Sequence, residues 1–300
     1  MKGNRYCILN SKCIKATIAL LLLILPSIIN CQEKTSAISR DPFLLFYLSN
    51  YPTLQIDTSE NVVVQRIDYK NFDKKEINFG DGDPGIFWNS IYVFKDGIFN
   101  GKDNAATNYD GILLSRYKGI EIHRNDDGSA GSIDEYSPRS DRLSWRHVYK
   151  KTNNITVANN GLRRGSVCAV LVEEESKFSY FDNYKKYNNT PDAPDTTIEF
   201  INGDVVISAY NYPPQKEYSR FYFINGILMK REYINNRTET YTVSSGKGEI
   251  IVTDTSGAVI ERRTLERRIN AAGYLEYEAV KYPSGAGYEY FFTKDTFNWK

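Results

Sequence analysis

The chain has 300 residues, 38 Lys and Arg against 37 Asp and Glu for a net charge of +1, and is rich in Tyr (23) and Phe (15). So even a balance gives no electrostatic case for nucleic acid, whose binding normally demands a basic face. Four cysteines in a chain of this length exclude a disulfide-stapled miniature fold, so stability has to come from a hydrophobic core.

Residues 1–30 read as an export signal. Lys2, Arg5, Lys12 and Lys15 form a basic, acid-free start, and an apolar stretch of 14 residues, 16–29, runs up to Asn30-Cys31-Gln32. A helix needs roughly 20 residues to cross the bilayer core, so the stretch is too short for a stable transmembrane anchor. Leu25-Pro26-Ser27-Ile28-Ile29-Asn30-Cys31 resembles the signal of bacterial lipoproteins, in which an aliphatic residue precedes a lipid-accepting cysteine by a few positions. Asn30 stands where that family usually has Gly, Ala or Ser, and loose forms of the motif are a feature of spirochaete lipoproteins. The resemblance implies a diacylglyceryl thioether on Cys31, cleavage before it, and acylation of the new amino terminus, with 31–41 as the membrane tether. Gln32 in place of a retaining aspartate implies the outer membrane or cell surface rather than the inner membrane. An ordinary cleaved signal, with Cys31 left as a thiol, is the alternative.

Loss of the leader would leave 34 basic residues against 37 acidic, a net of −3. It would also remove Cys7 and Cys13, so that with Cys31 lipidated Cys168 has no disulfide partner.

The remainder predicts a mostly β protein of antiparallel meander sheets, either a sandwich or an open barrel, with one short N-terminal helix. Asp41 caps and Pro42 opens that helix, Phe43-Leu44-Leu45-Phe46-Tyr47-Leu48 continues it, and Ser49-Asn50-Tyr51-Pro52 stops it. Strands are expected at 62–69, 86–94, 112–117, 120–124, 143–149 and 167–173, where β-branched and aromatic residues recur between turn residues. In 143–149, Leu143, Trp145, His147 and Tyr149 share a face, which makes His147 a packed or rim residue. Val167-Cys168-Ala169-Val170-Leu171-Val172 is apolar on both faces and reads as a central strand, where a thiol is inert.

A polar, proline-containing stretch at 183–196 is either a linker between a β-rich domain or half at 42–182 and another at 197–300, or a surface loop within one fold. Beyond it, Phe200-Ile201-Asn202-Gly203 and Phe223-Ile224-Asn225-Gly226 mark two-residue hairpins, and turns at Ser256-Gly257 and Ala272-Gly273 extend the meander. Phe94-Lys95-Asp96-Gly97-Ile98-Phe99 is an earlier relative. This half resembles MORN-like and YD-type β-hairpin repeat modules, though turn glycines 203, 226, 257 and 273 are unevenly spaced. The segment 259–270 reads as a strand rather than a helix, with its Glu-Arg-Arg units on a solvated face.

No catalytic constellation stands out. Cys168 with His123 or His147 is a thiol and imidazole pair in composition only. Candidate metal ligands are Asp81 and Asp83 in one Asp/Gly loop and Asp126, Asp127 and Asp134, with Glu135 beside it, around another, although Asp and Gly serve turns equally well. Adjacent carboxylates at Glu173-Glu174-Glu175 point to alternate faces of a strand and make a poor hydrolytic pair. Trp88 and Trp145 are candidates for a glycan or protein platform. The expectation is an exported, lipid-anchored binding or structural protein of the cell envelope, with the membrane and a protein or glycan ligand as partners and no cofactor. The alternatives are an extracytoplasmic glycan hydrolase and an envelope assembly factor.

Overall fold

A computed structural model describes residues 38–79, 84–137, 139–160, 167–182, 194–211, 216–233 and 236–297. The export signal, Cys31, Asp81, Asp83 and most of the 183–196 stretch lie outside the described residues. The described helix is α1 (Pro42–Leu48). The strands of the first half are β1 (Val62–Asn71), β2 (Glu76–Ile77), β3 (Phe87–Lys95), β4 (Ile98–Thr107), β5 (Leu113–Arg124), β6 (Ala130–Tyr136), β7 (Leu143–Thr152), β8 (Ile155–Asn160), β9 (Val167–Glu174) and β10 (Lys177–Asp182). Those of the second are β11 (Thr196–Ile201), β12 (Asp204–Asn211), β13 (Lys216–Ile224), β14 (Ile227–Tyr233), β15 (Thr238–Ser244), β16 (Lys247–Thr253), β17 (Val259–Ile269), β18 (Leu275–Lys281) and β19 (Gly287–Lys294).

Each strand from β3 onward pairs antiparallel with the next, and β1 pairs with both β3 and β19. Among the described residues the result is a closed ring of 18 strands, with β2 as a short addition beside β1. This corrects the expectation of a sandwich or open barrel. An even number of up-and-down strands brings the last beside the first in antiparallel sense, and closure leaves no unpaired edge. The seam is long, running from Val62 opposite Lys294 to Tyr69 opposite Gly287.

The expected strands form, and 112–117 and 120–124 merge into β5, with an irregularity where Ile120 and Lys118 face consecutive residues of β4. The expected hairpins form as well. Asn202-Gly203 and Asn225-Gly226 have φ of 53° and 92°, and 48° and 73°, the paired positive values of a turn whose twist suits a two-residue hairpin. In β9, Ala169, Val170 and Leu171 are all buried, as a strand covered on both faces requires; the Cys168 side chain lies outside the described set.

An 18-stranded ring is wide enough to hold an aqueous channel. Here the interior is apolar instead. Leu44, Leu45 and Leu48 of α1 are at most 2% exposed and join one core with Val64, Tyr92, Phe99, Ile133, Leu171, Val205, Phe223, Ile250, Leu265 and Phe292 from strands around the ring. Asp41 caps α1 by accepting from the Phe43 and Leu44 amides at 3.0 and 3.2 Å, and its other oxygen pairs with Arg124 at 2.6 Å. The chain then crosses the interior. Tyr51 packs edge-on against Tyr92 and Tyr290, and the Leu54 amide donates to the Gly226 carbonyl at 2.7 Å.

The Glu-Arg-Arg strand departs from the expected solvated face. In β17, Arg262, Thr264, Glu266 and Arg268 point out, but Glu261, Arg263, Leu265 and Arg267 point in. Arg267 is 3% exposed; its Nε donates to Glu278 at 2.7 Å and a second guanidinium nitrogen donates to the Leu228 carbonyl at 2.9 Å. Burial drives the Glu278 carboxyl upward, and Arg267 opposes it. Arg263 is held by Glu239 at 2.7 Å and Glu261 at 3.1 Å. The outward Thr240, Thr242, Arg262, Thr264, Glu266 and Arg268 are exposed, where a lipid-facing barrel carries an apolar band. This part of the wall faces water.

Two stability outcomes follow from the filled interior. Leu45→Ala should cost about 2–5 kcal/mol in urea titration, with the midpoint lowered and the slope unchanged. Arg267→Met strands the Glu278 carboxyl and should cost about 3–5 kcal/mol, whereas adding Glu278→Leu should return most of that loss.

Candidate functional site

The strongest candidate is a recess of about 690 Å³ open to solvent between α1 and β3, β4, β5, β6 and β10. Strand alternation sets its walls. Trp88, Ser90 and Tyr92 point inward on β3, and register places Ala106, Asn104 and Lys102 of β4 opposite them. Phe46 and Tyr47 of α1, Glu135 and Tyr136 of β6, and Tyr180 of β10 complete the lining, with Arg139 from the β6–β7 turn. The floor is open because residue 119 is glycine. A Cβ there would meet the Lys102 carbonyl oxygen at 2.6 Å and the Asn104 amide nitrogen at 2.8 Å.

The aromatic rings are firmly seated. Tyr180 contacts Phe46 at 5.1 Å between centroids, and the Arg139 guanidinium lies 4.7 Å from the Trp88 ring centre. The Tyr92 hydroxyl donates to the Tyr47 carbonyl at 3.1 Å, tying α1 to β3. Adjoining the recess, and sharing Phe46, Tyr47, Glu135 and Tyr180 with it, lies a smaller space of about 40 Å³ also bordered by Phe43, His147, Tyr149 and Phe178. Glu135 borders both and pairs with His147 Nε2 at 3.3 Å. Burial, and then the Glu135 charge, push the Tyr47 phenol up, while burial pulls the half-buried Lys102 amine down. Among the described residues no carboxylate lies within ion-pair distance of Lys102; its contact is the Tyr47 ring, at 5.8 Å.

The structure scatters the residues singled out from sequence. Trp88 lines the recess, 37% exposed. Trp145 stands opposite Glu135 on β7, 44% exposed and outside the lining. Asp127 accepts from the Ser129 amide and hydroxyl at 2.9 and 2.5 Å, so it shapes the turn after β5. Asp126 is exposed in the same turn. Asp134 faces outward, gripped by Arg146 at 2.6 and 2.5 Å and contacted by His123 Nε2 at 3.2 Å. The hydrogen bonds from Arg146, with a smaller one from His123, pull the Asp134 carboxyl below its ordinary range. Among the described residues no three metal-ligating side chains converge. His123 and His147 lie on opposite faces of the wall, His123 beside Asp134 and His147 beside Glu135.

Sequence reasoning missed Lys102, Asn104 and Tyr47, and took Glu135 only as a metal candidate beside Asp134. The Asp96-Gly97 turn was the available signal, because folding a hairpin about it lays Lys102 and Asn104 against the strand that carries Trp88. At pH 8 a lysine with a lowered pKa holds more neutral, nucleophilic amine. Limited acylation read by peptide mass spectrometry should therefore modify Lys102 ahead of Lys118, whose ammonium is stabilised by Glu121 at 2.8 Å.

No protein-family model matches the chain, and no curated protein matches it. Among solved structures it is similar to a porin-like protein from Bacteroides uniformis, with 6% identity over 79% of this chain and 97% of that one and a TM-score of 0.27. A BBS1N–ARL6DN complex matches with 10% identity over 73% of this chain and 91% of that one, at a TM-score of 0.19. At such scores neither likeness bears on fold or function.

Proposed function

We propose that the protein is an exported, lipid-anchored, non-catalytic binding protein of the bacterial envelope, and that its ligand is a glycan held in the recess beside α1. The observation that carries the reading is the lining itself: aromatic faces from Trp88, Tyr47, Phe46 and Tyr180 beside the polar Asn104, Lys102 and Glu135. A sugar presents apolar ring faces edged by hydroxyl groups, and a mostly aromatic pocket with a few placed polar groups suits it. Hydrolysis of a glycoside by the usual means requires two carboxyl groups flanking the bond. The described lining offers Glu135, already engaged by His147.

The lipid anchor at Cys31 rests on the sequence of the export signal, and a barrel with a filled interior and exposed polar residues on the outer face of β15 and β17 is suited to being held at a membrane by its N-terminus rather than inserted in it. Cys31→Ser should move the protein from the detergent phase to the aqueous phase in temperature-induced separation. Unchanged partitioning would remove the anchor from the account.

For the ligand, the full chain in detergent is titrated calorimetrically against a panel of neutral and acidic cell-wall and host oligosaccharides. At least one should bind, and Trp88→Ala should weaken it by about tenfold or more. A panel without binders, or binding indifferent to Trp88, contradicts the reading; turnover of a bound sugar contradicts the non-catalytic part of it.

A further inference from the structure

We propose that the recess selects an acidic sugar, a uronic-acid unit whose carboxylate pairs with Lys102 while its ring packs on the aromatic wall; this rests on the glycan-binding reading above. Buried and half-buried arginines of the barrel are supplied with carboxylates from the protein. Arg116 is clamped by Asp103 and Asp295 at 2.6 and 2.8 Å, Arg124 by Asp41 at 2.6 Å, Arg263 by Glu239 at 2.7 Å and Arg267 by Glu278 at 2.7 Å. Lys102 breaks that pattern. It lines the recess on the inward face of β4, half-buried, without a carboxylate in ion-pair range among the described residues.

A charge removed from water without a counter-ion is unfavourable, and a ligand anion would restore the balance. Burial lowers the pKa of Lys102, in keeping with an ammonium that has no carboxylate in ion-pair range among the described residues. Glu135 borders the same recess but is turned to His147 at 3.3 Å. Two residues along β4, the Asn104 carboxamide has no hydrogen-bond partner among the described residues and lies on the same face. An ammonium and an amide side by side offer donors for one carboxylate oxygen and a neighbouring hydroxyl.

Gly119 keeps this spot accessible, since any side chain there would strike Lys102 and Asn104 backbone and amide atoms. The Arg139 guanidinium, 4.7 Å from the Trp88 ring centre, also lines the recess and adds positive potential. With Arg139 stacked on the Trp88 ring, the Lys102 ammonium and the Asn104 amide are the donors at this spot, and together they match a monoanionic carboxylate. A phosphoryl group, with more acceptor oxygens and more charge, calls for a denser set of donors.

The test compares two probes that differ by charge alone: a hexasaccharide of alternating glucuronate and N-acetylglucosamine, and its methyl ester. Calorimetry uses the full chain in detergent at fixed ionic strength. The acid should bind about tenfold tighter than the ester. Lys102→Met should erase that difference while leaving ester affinity in place, which doubles as the check on folding, and Lys102→Arg should keep part of the preference. Equal binding of acid and ester, or a preference that survives Lys102→Met, overturns the acidic-sugar inference and leaves glycan binding intact. Competition by inorganic sulfate as effective as by the acid also overturns it, marking a general anion site. Failure of both hexasaccharides while another glycan of the panel binds overturns this inference alone; failure of the whole panel overturns the glycan reading with it.

Discussion

Joining eighteen strands in a ring sets a problem of volume. A ring of that size encloses more space than the side chains of its own wall fill, and in membrane barrels the surplus is water or a plug. In this protein the surplus is taken by the chain ahead of the first strand. α1 places Leu44, Leu45 and Leu48 at the centre of the core, and the following segment threads past Tyr92 and Tyr290 to bond with the hairpin at Gly226. The rest depends on this filling: apolar side chains can point inward on nearly every strand because something apolar awaits them.

The plug also decides where the site lies. α1 leans on strands from both sides, with Phe43 against Tyr149, Phe46 against Tyr180 and Tyr47 against Phe99. Where its side chains stop short of β3, β4 and β6 the interior opens into the recess, and Lys102, Asn104 and Glu135 line it in place of aliphatic residues. In the half of the ring farther along the chain, the described residues include no helix. Inward Arg263 and Arg267 are neutralised there by Glu239 and Glu278, and Tyr241 stacks on Arg267 at 5.1 Å. These two arginines are tolerated inside because each is paired.

What could be read from the sequence was local. The Asp41-Pro42 cap, the Asn-Gly hairpins and the doubly apolar β9 each carry their information within a few residues. β4 and β6 were hidden for a physical reason. Their inward positions border the recess, so Lys102, Asn104 and Glu135 replace the aliphatic residues whose alternation would have announced strands. β17 was recognised as a strand but its faces were misread, because an inward arginine is intelligible only with its partner. Glu278 lies across the β17–β18 pair and Glu239 two strands away, on β15. Closure was beyond reach for a related reason: the pairing of β1 with β19 joins residues more than 200 positions apart, and no local pattern distinguishes it from two open edges. Of the site, Trp88 was legible as an aromatic on a strand, while its companions come together only once the ring is closed and filled.

Closure around a filled interior is the claim on which everything else stands, and hydrogen exchange at the seam tests it most directly. In a closed ring the amides of 62–69 and 287–294 are tied into a ladder eight residues long and shielded by the core behind it. Mass spectrometry should find them exchanging as slowly as the β17–β18 pair. Exchange of both segments as fast as that of frayed termini, with β17 and β18 still protected, would mean that β1 and β19 are free edges and would contradict the closed barrel.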